Sequence, residues 1–163
     1  MNRIVILCVE DEAEVREAVL RDLSPFKPLM RIEAAEDVED ALAVLREVGI
    51  DEDPVGLVLC DHMLPGKRGV DFLIDLQKDP RYTETRKVLI TGQAGLEDTV
   101  RAVNEARLNH YIAKPWKVAD LHAVVRKELT DYVIATQEDL IPYIALLDGE
   151  RLLNQIAGSG SDR

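Results

Sequence analysis

The stretch Val55–Gly69, VGLVLCDHMLPGKRG, decides how the rest of the chain is understood. It begins with a run of apolar and β-branched residues, which ends on a single acid, Asp61, and continues into a loop marked by proline and glycine. This pattern predicts a buried strand that carries one carboxylate to its carboxyl end. Ligands bind at that edge of an open α/β sheet, so Asp61 is the first candidate for a functional residue.

The segments on either side of this stretch repeat the same plan of a strand followed by a helix. The predicted strands are Arg3–Val9, Leu29–Ala35, Val55–Cys60, Arg86–Thr91 and His110–Ala113. The predicted helices are Ala13–Leu23, Asp37–Val48, Val70–Leu76, a helix marked by Leu96, Val100 and Val103, and a fifth helix after Lys114-Pro115. Five such units predict an α/β fold: a doubly wound parallel sheet in the order 2-1-3-4-5, flavodoxin-like, with helices on both faces.

The amino-acid composition disfavours a nucleic-acid-binding protein and a membrane protein. The chain has 163 residues, 31 acids against 20 lysines and arginines, and a net charge of -11, which disfavours direct binding to nucleic acid. No apolar run reaches the ~20 residues that a membrane span needs, and no leader pattern follows Met1, so we expect a cytoplasmic protein without membrane contact. Cys8 and Cys60 each lie in a predicted strand and are expected to be small buried residues rather than a redox pair.

Charged and polar side chains follow four of the five predicted strands. Glu10 and Asp11 follow the first, Asp61 the third, Thr91 the fourth and Lys114 the fifth. Strands one and three are neighbours at roughly 4.8 Å, so their three carboxylates should crowd together. Two such charges about 4 Å apart repel by roughly 4 kcal/mol at an effective dielectric of 20. The sequence therefore predicts compensating positive charge, supplied by Lys114 and by Mg²⁺, which prefers oxygen ligands.

This set of groups is suited to accepting a phosphoryl group. Asp61 is the candidate nucleophile, Lys114 and the metal would neutralise charge on the transferring group, and the Thr91 hydroxyl could donate to one of its oxygens.

The residues also carry a resemblance. The chain resembles the receiver domain of two-component response regulators in four motifs. These are Glu10-Asp11, Asp61 with the segment MLPGKRG that begins two residues later, Thr91-Gly92 and Tyr111-x-x-Lys114-Pro115. The resemblance covers about Arg3 to Glu128, and it divides the chain into a receiver domain at 1–128, a helical extension at 129–157 and a flexible tail at 158–163.

The resemblance implies a role for each site residue. Asp61 would take a phosphoryl group from a sensor histidine kinase or a phosphotransfer protein. Asp11, Asp61 and the backbone carbonyl of Met63 would hold Mg²⁺, Glu10 would act through metal-bound water, and Lys114 would grip the phosphoryl group.

The resemblance also implies a switch. Thr91 and Tyr111 would change position on phosphorylation, and the surface formed by the fourth helix, the fifth strand and the fifth helix would report the change to an output partner that the sequence does not identify. The Lys114-Pro115 bond is expected to be cis. Such a protein takes part in its own phosphotransfer and dephosphorylation and is not a dedicated enzyme.

Other functions are weighed against this one. A phosphatase with an aspartate nucleophile commonly has a second acid two residues later, where this chain has Met63. A nucleotide-binding protein would need a glycine-rich loop after the first strand, where the chain has acids instead. A receiver-like module that binds its partner without phosphate remains the alternative. His62 is expected to be an ordinary surface residue at the rim.

Beyond the predicted domain, apolar residues recur at alternating spacings of four and three. The members of this stripe are Leu129, Val133, Thr136, Leu140, Tyr143 and Leu147. The stripe predicts helices that pair with another helix, either back on their own domain or in a homodimer, and the homodimer or a signalling helix is the favoured interpretation. Pro142 predicts a break near Thr136–Pro142, with one last short helix at Arg151–Ile156.

Overall fold

The computed structural model, which describes residues 2–92 and 95–161, contains one five-stranded parallel sheet in the order β2-β1-β3-β4-β5. The strands are β1 (Ile4–Val9), β2 (Met30–Ala35), β3 (Val55–Cys60), β4 (Arg86–Ile90) and β5 (His110–Ile112). The helices are α1 (Ala13–Asp22), α2 (Val38–Ile50), α3 (Gly69–Lys78), α4 (Leu96–Glu105), α5 (Val118–Thr136) and α6 (Gly149–Ser161). The predicted fold class and strand order are confirmed.

The two central strands are buried on both faces, which explains their unbroken apolar sequence. All six residues of β1 and all six of β3 are buried. Ile6 and Cys8 pack with α1 and α5 on one side, whereas Leu7 and Val9 pack with α2, α3 and the end of α4 on the other. A parallel sheet covered by helices on both faces has this two-sided requirement for apolar residues.

The two cysteines are buried and free, as predicted. Cys8 belongs to the core on the α1 and α5 side, and Cys60 belongs to the core on the opposite side of the sheet. Burial raises the pKa of the Cys8 thiol to about 12, so it is a neutral apolar group at neutral pH. Both therefore serve as small packing residues.

The C-terminal extension is helical and continuous with the domain. Helix α5 runs through the predicted boundary after Glu128 to Thr136, and a single turn of 3-10 helix at Ile141–Tyr143 follows the predicted break. Helix α6 is longer than predicted, because it continues to Ser161. Residues 158–161 of the predicted flexible tail form the last turn of this helix, and residues 162–163 lie outside the described part of the chain.

The apolar stripe of the extension is covered by its own chain. Leu129 and Val133 are fully buried, Leu140 and Leu147 are 8% and 5% exposed, and all four share a core with residues of β1 and α1. Of the two arrangements that the spacing allowed, these four residues adopt packing on their own domain, and the homodimer stays a prediction. The stripe looked like a pairing surface because intramolecular and intermolecular helix packing require the same spacing of apolar residues.

Ion pairs also fix the extension to the domain. Arg86 of β4 donates to Asp131 of α5 at 3.4 Å, and Asp131 also accepts from Arg151 of α6 at 2.7 Å. Among the described residues, no helix is both long and apolar enough to cross a membrane.

Truncation of Leu152 tests whether the extension stabilises the domain. Leu152 is fully buried in the core, whereas the adjacent Leu153 is 53% exposed. Leu152→Ala should lower the free energy of unfolding by about 2–5 kcal/mol, the range for a buried leucine. Leu153→Ala, the matched control, should change it by less than about 1 kcal/mol. Urea unfolding measures both, and equal effects would show that α6 does not pack on the domain.

Candidate functional site

The sheet brings the predicted site residues to one edge. Val9 of β1 pairs with Cys60 of β3, so the residues that follow these strands, Glu10 and Asp61, emerge side by side. The Asp61 amide donates to the Val9 carbonyl at 3.0 Å, which continues the pairing by one residue. Thr91 follows β4 and Lys114 follows β5 at the same edge, where the Thr91 amide donates to the carbonyl of Ile112.

Three carboxylates meet at this edge. One oxygen each from Glu10, Asp11 and Asp61 lie within 4.8 Å of one another, and Glu10 and Asp61 are buried whereas Asp11 is exposed. Burial first, and then the neighbouring charge of Asp61, raises the pKa of Glu10, although a hydrogen bond from Lys114 opposes the shift. The predicted crowding of acids is therefore present.

Lys114 lies between two of these acids. Its ammonium group donates to Glu10 Oε2 at 2.6 Å and to Asp61 Oδ2 at 3.0 Å. Burial alone would lower the pKa of Lys114, but the hydrogen bonds to Glu10 and Asp61 outweigh burial and raise it. The ammonium group is therefore charged at neutral pH.

The same edge could hold a divalent cation. Three carboxylates provide hard oxygen ligands, and the exposure of Asp11 leaves one side of the cluster open to water and substrate. Asp11 and Asp61, together with Thr91 and Trp116, border a cavity of about 480 Å³. The donor set fits Mg²⁺, and the predicted Met63 carbonyl ligand stays a prediction.

The loop after β3 needs glycine at two places. Gly66 has a φ of +78°, in the left-handed region that favours glycine. At Gly69, a Cβ atom would lie 1.9 Å from the carbonyl oxygen of Asp61. Helix α3 can therefore begin directly beneath the candidate nucleophile only because residue 69 has no side chain.

Tyr111 and Thr91 are in contact. The Tyr111 hydroxyl donates to the backbone carbonyl of Thr91 at 3.0 Å, and the half-buried ring packs on the core that faces α3 and α4. Thr91 itself is fully buried. The two predicted switch residues therefore touch each other, and their movement stays a prediction. The Lys114-Pro115 bond is cis, as expected.

His62 differs from its prediction. We expected a surface residue, but its side chain is 2% exposed, and its ring bonds to Asp98 of α4 at 3.0 Å. Sequence gave no signal for this contact because Asp98 lies 36 positions away. The role of Arg16 of α1 was also not predicted from the sequence. Its guanidinium group donates to the backbone carbonyls of Glu10 and Asp11 and so stabilises the acidic loop.

Comparison with known families places the chain among the response regulators. The model of the response regulator receiver domain matches residues 6–126, about three quarters of the chain. The chain therefore belongs to the receiver domain family of two-component systems.

Individual relatives agree with this assignment. The hydrogenase transcriptional regulatory protein HoxA of Cupriavidus necator is 33% identical over 126 residues, which are 77% of this chain and 24% of that protein. The phosphate regulon transcriptional regulatory protein PhoB of Escherichia coli is 35% identical over 128 residues, 75% of this chain and 52% of that protein. The chain thus spans only a quarter to a half of these curated relatives.

A solved structure gives the same fold. The signal receiver domain of an HD domain-containing protein from Pseudomonas fluorescens Pf-5 matches with a TM-score of 0.72 and 25% identity, over 85% of this chain and 96% of that one.

The acidic cluster predicts a specific effect of Mg²⁺ on stability. Asp11→Asn removes one of three crowded charges, so it should raise the melting temperature of the metal-free protein by about 2–4 °C. The parent should be further stabilised as Mg²⁺ is added, because a ligand that binds only the folded state raises its stability. The variant should lose most of this Mg²⁺-dependent gain.

The matched control is Glu17→Gln, which removes an exposed acid from α1 outside the cluster. Differential scanning calorimetry across a Mg²⁺ series measures all three proteins. A gain with Mg²⁺ that is the same in Asp11→Asn and the parent would contradict a metal site at this cluster.

Proposed function

We propose that the protein is a phosphorylation-dependent response regulator in which Asp61 accepts a phosphoryl group from a sensor histidine kinase or a phosphotransfer protein. The observation that carries the proposal is the contact of one lysine, Lys114, with both Glu10 and Asp61 at the border of an open cavity. This arrangement provides a nucleophile, a lysine ammonium group and a cluster of acids that could bind a cation in one place.

The proposed reaction is an in-line transfer. An oxygen of Asp61 attacks phosphorus, the bond between phosphorus and the donor nitrogen breaks, and its electron pair returns to the donor imidazole. Lys114 then exchanges its contact with Asp61 for a phosphoryl oxygen, while its contact with Glu10 keeps the ammonium group in place. Mg²⁺, held by Asp11 and Asp61 with Glu10 nearby and the Met63 carbonyl, would neutralise charge on the transferring group.

The proposed output is a change of surface. A phosphoryl group brings charge and acceptor oxygens next to Thr91, whose hydroxyl would turn to donate to one of them. Because Tyr111 is bonded to the backbone of Thr91, its ring would move with that change. The affected surface comprises α4, β5 and α5, and a coupling of about 1–3 kcal/mol would change partner affinity five- to 150-fold.

The proposed partners are the phosphodonor and an unidentified output protein, and the proposed place of action is the cytoplasm. Direct contact with nucleic acid or a membrane is not proposed, since the net charge of -11 opposes binding to anionic surfaces. A homodimer through the C-terminal helices is not proposed either, because four of the six residues of the stripe that suggested it are buried within the chain. The protein would take part in its own dephosphorylation but would not be a dedicated enzyme.

Phosphorylation by a small donor tests the proposal. Incubation with acetyl phosphate and Mg²⁺ should add one phosphoryl group to the parent, as measured by intact mass. Asp61→Asn should gain none, because an amide oxygen is a poor nucleophile. Asp75→Asn changes an exposed acid on α3 that lies outside the acidic cluster, so it should be phosphorylated like the parent.

The same experiment distinguishes the proposed function from the alternative, an interaction module that acts without phosphate. A folded parent that gains no phosphate under any condition would favour a phosphate-independent interaction module. Phosphate found equally on the Asp61→Asn variant would assign the acceptor to another residue.

A further inference from the structure

His62 is held by four hydrogen bonds at the start of the loop that follows the phosphoacceptor. Its Nδ1 accepts a hydrogen bond from the Val70 amide at 3.4 Å, so the ring proton lies on Nε2 and is donated to Asp98 Oδ2 at 3.0 Å. Its backbone carbonyl accepts from the amides of Leu64 and Gly69, each at 3.0 Å. His62 is therefore fixed relative to Asp61, its neighbour in the chain.

Helix α4, in contrast, is held weakly by packing. Ala102 is the single buried residue of α4, a helix that lies wholly within the described part of the chain. Its larger apolar residues face solvent, with Leu96 83%, Val100 47% and Val103 52% exposed. Few apolar contacts make the position of an element sensitive to its individual polar bonds.

Among the residues that the structure describes, two polar links hold α4 to the α3 side of the domain. One is the bond from His62 to Asp98, in the first turn of the helix. The other joins Arg101 to Asp71 of α3 at 3.0 Å, and Arg101 also lies 3.7 Å from Asp98. The His62 link is the more buried of the two, since the His62 and Asp98 side chains are 2% and 35% exposed whereas those of Arg101 and Asp71 are 43% and 41% exposed. Water competes less for a buried hydrogen bond, so this link contributes more to the position of the helix.

We propose that His62 is a positioning residue that holds the first turn of α4 in the unphosphorylated arrangement, and that phosphorylation of Asp61 strains this link. The inference rests on the proposed function. Thr91 lies at the end of β4, and the loop after it leads into α4 at Leu96. Movement of Thr91 toward a phosphoryl group would therefore shift the start of α4, while His62 stays fixed beside Asp61.

A link that opposes the shift must also oppose binding at Asp61. Linkage is reciprocal: whatever stabilises the unphosphorylated arrangement of α4 lowers the affinity of Asp61 for a phosphoryl group by the same factor. Loss of the link should therefore loosen α4 and tighten binding of a phosphoryl analogue. A purely structural role would loosen α4 without improving that affinity.

The test uses His62→Asn and Asp98→Ala, singly and together. In His62→Asn, the side-chain amide is long enough to reach the Val70 backbone amide but too short to reach Asp98. In His62→Gln, the amide nitrogen lies near the position of Nε2 and should restore the hydrogen bond to Asp98. Glu97→Ala, which removes the adjacent exposed acid of the same turn, is the matched control. Asp98 is 35% exposed, so its variant should retain the fold even if the His62 variant does not.

Two quantities are measured: hydrogen exchange of the amides of residues 96–105, and the affinity for beryllofluoride in the presence of Mg²⁺. Each single variant should exchange about three- to tenfold faster in α4 and bind beryllofluoride about three- to tenfold more tightly, the factor of one net hydrogen bond. The double variant should show no further change, because both substitutions break the same link. His62→Gln and Glu97→Ala should behave like the parent.

Unchanged or weaker beryllofluoride binding in both single variants would overturn the role of His62 while leaving the proposed function intact. Additive effects in the double variant would also overturn it, because they would show two independent contacts. A folded parent that binds no beryllofluoride would overturn the proposed function and this inference together.

Discussion

The contact of Lys114 with Glu10 and Asp61 is the interaction on which the rest of the site depends. Two buried carboxylates beside a third acid would repel strongly, and at this distance the cost is several kcal/mol without a counter-charge. Lys114 supplies that charge from the end of β5, across β3 and β4 from the first strand. The acids can therefore be kept close enough to bind a cation and to react, and the fold must provide a rigid frame that brings the ends of β1, β3 and β5 together.

The doubly wound parallel sheet supplies this rigid frame. Strands β1 and β3 are buried on both faces, so their register is set by two layers of helices and cannot slip by a residue without burying polar groups. The chemistry is confined to residues that leave the strands. Below them, Gly69 lets α3 start against the backbone of Asp61, and Arg16 supports the acidic loop. Reactive groups at the edge are thus held by a core that takes no part in the reaction.

Much of this could be predicted from sequence because the signals are local. Each strand is an apolar run, each site residue directly follows a strand, and strand order follows from the repeated βα plan. The contact of His62 and the packing of the C-terminal extension could not be predicted in this way. The burial of His62 depends on Asp98, a partner chosen by the fold, and nothing in the motif around Asp61 indicates it. The stripe from Leu129 to Leu147 predicted helices but not the surface on which they pack, since the spacing of apolar residues does not say which surface they cover.

The proposed function requires that Asp61, with Mg²⁺ and Lys114, forms a site for a tetrahedral phosphoryl group. The most direct measurement is ¹⁹F NMR of the protein with beryllofluoride, a tetrahedral analogue of that group. A bound-fluoride signal should require Mg²⁺, be absent in Asp61→Asn and be weakened in Lys114→Ala. A folded parent without a bound signal, or a bound signal that survives in Asp61→Asn, would contradict the proposed function.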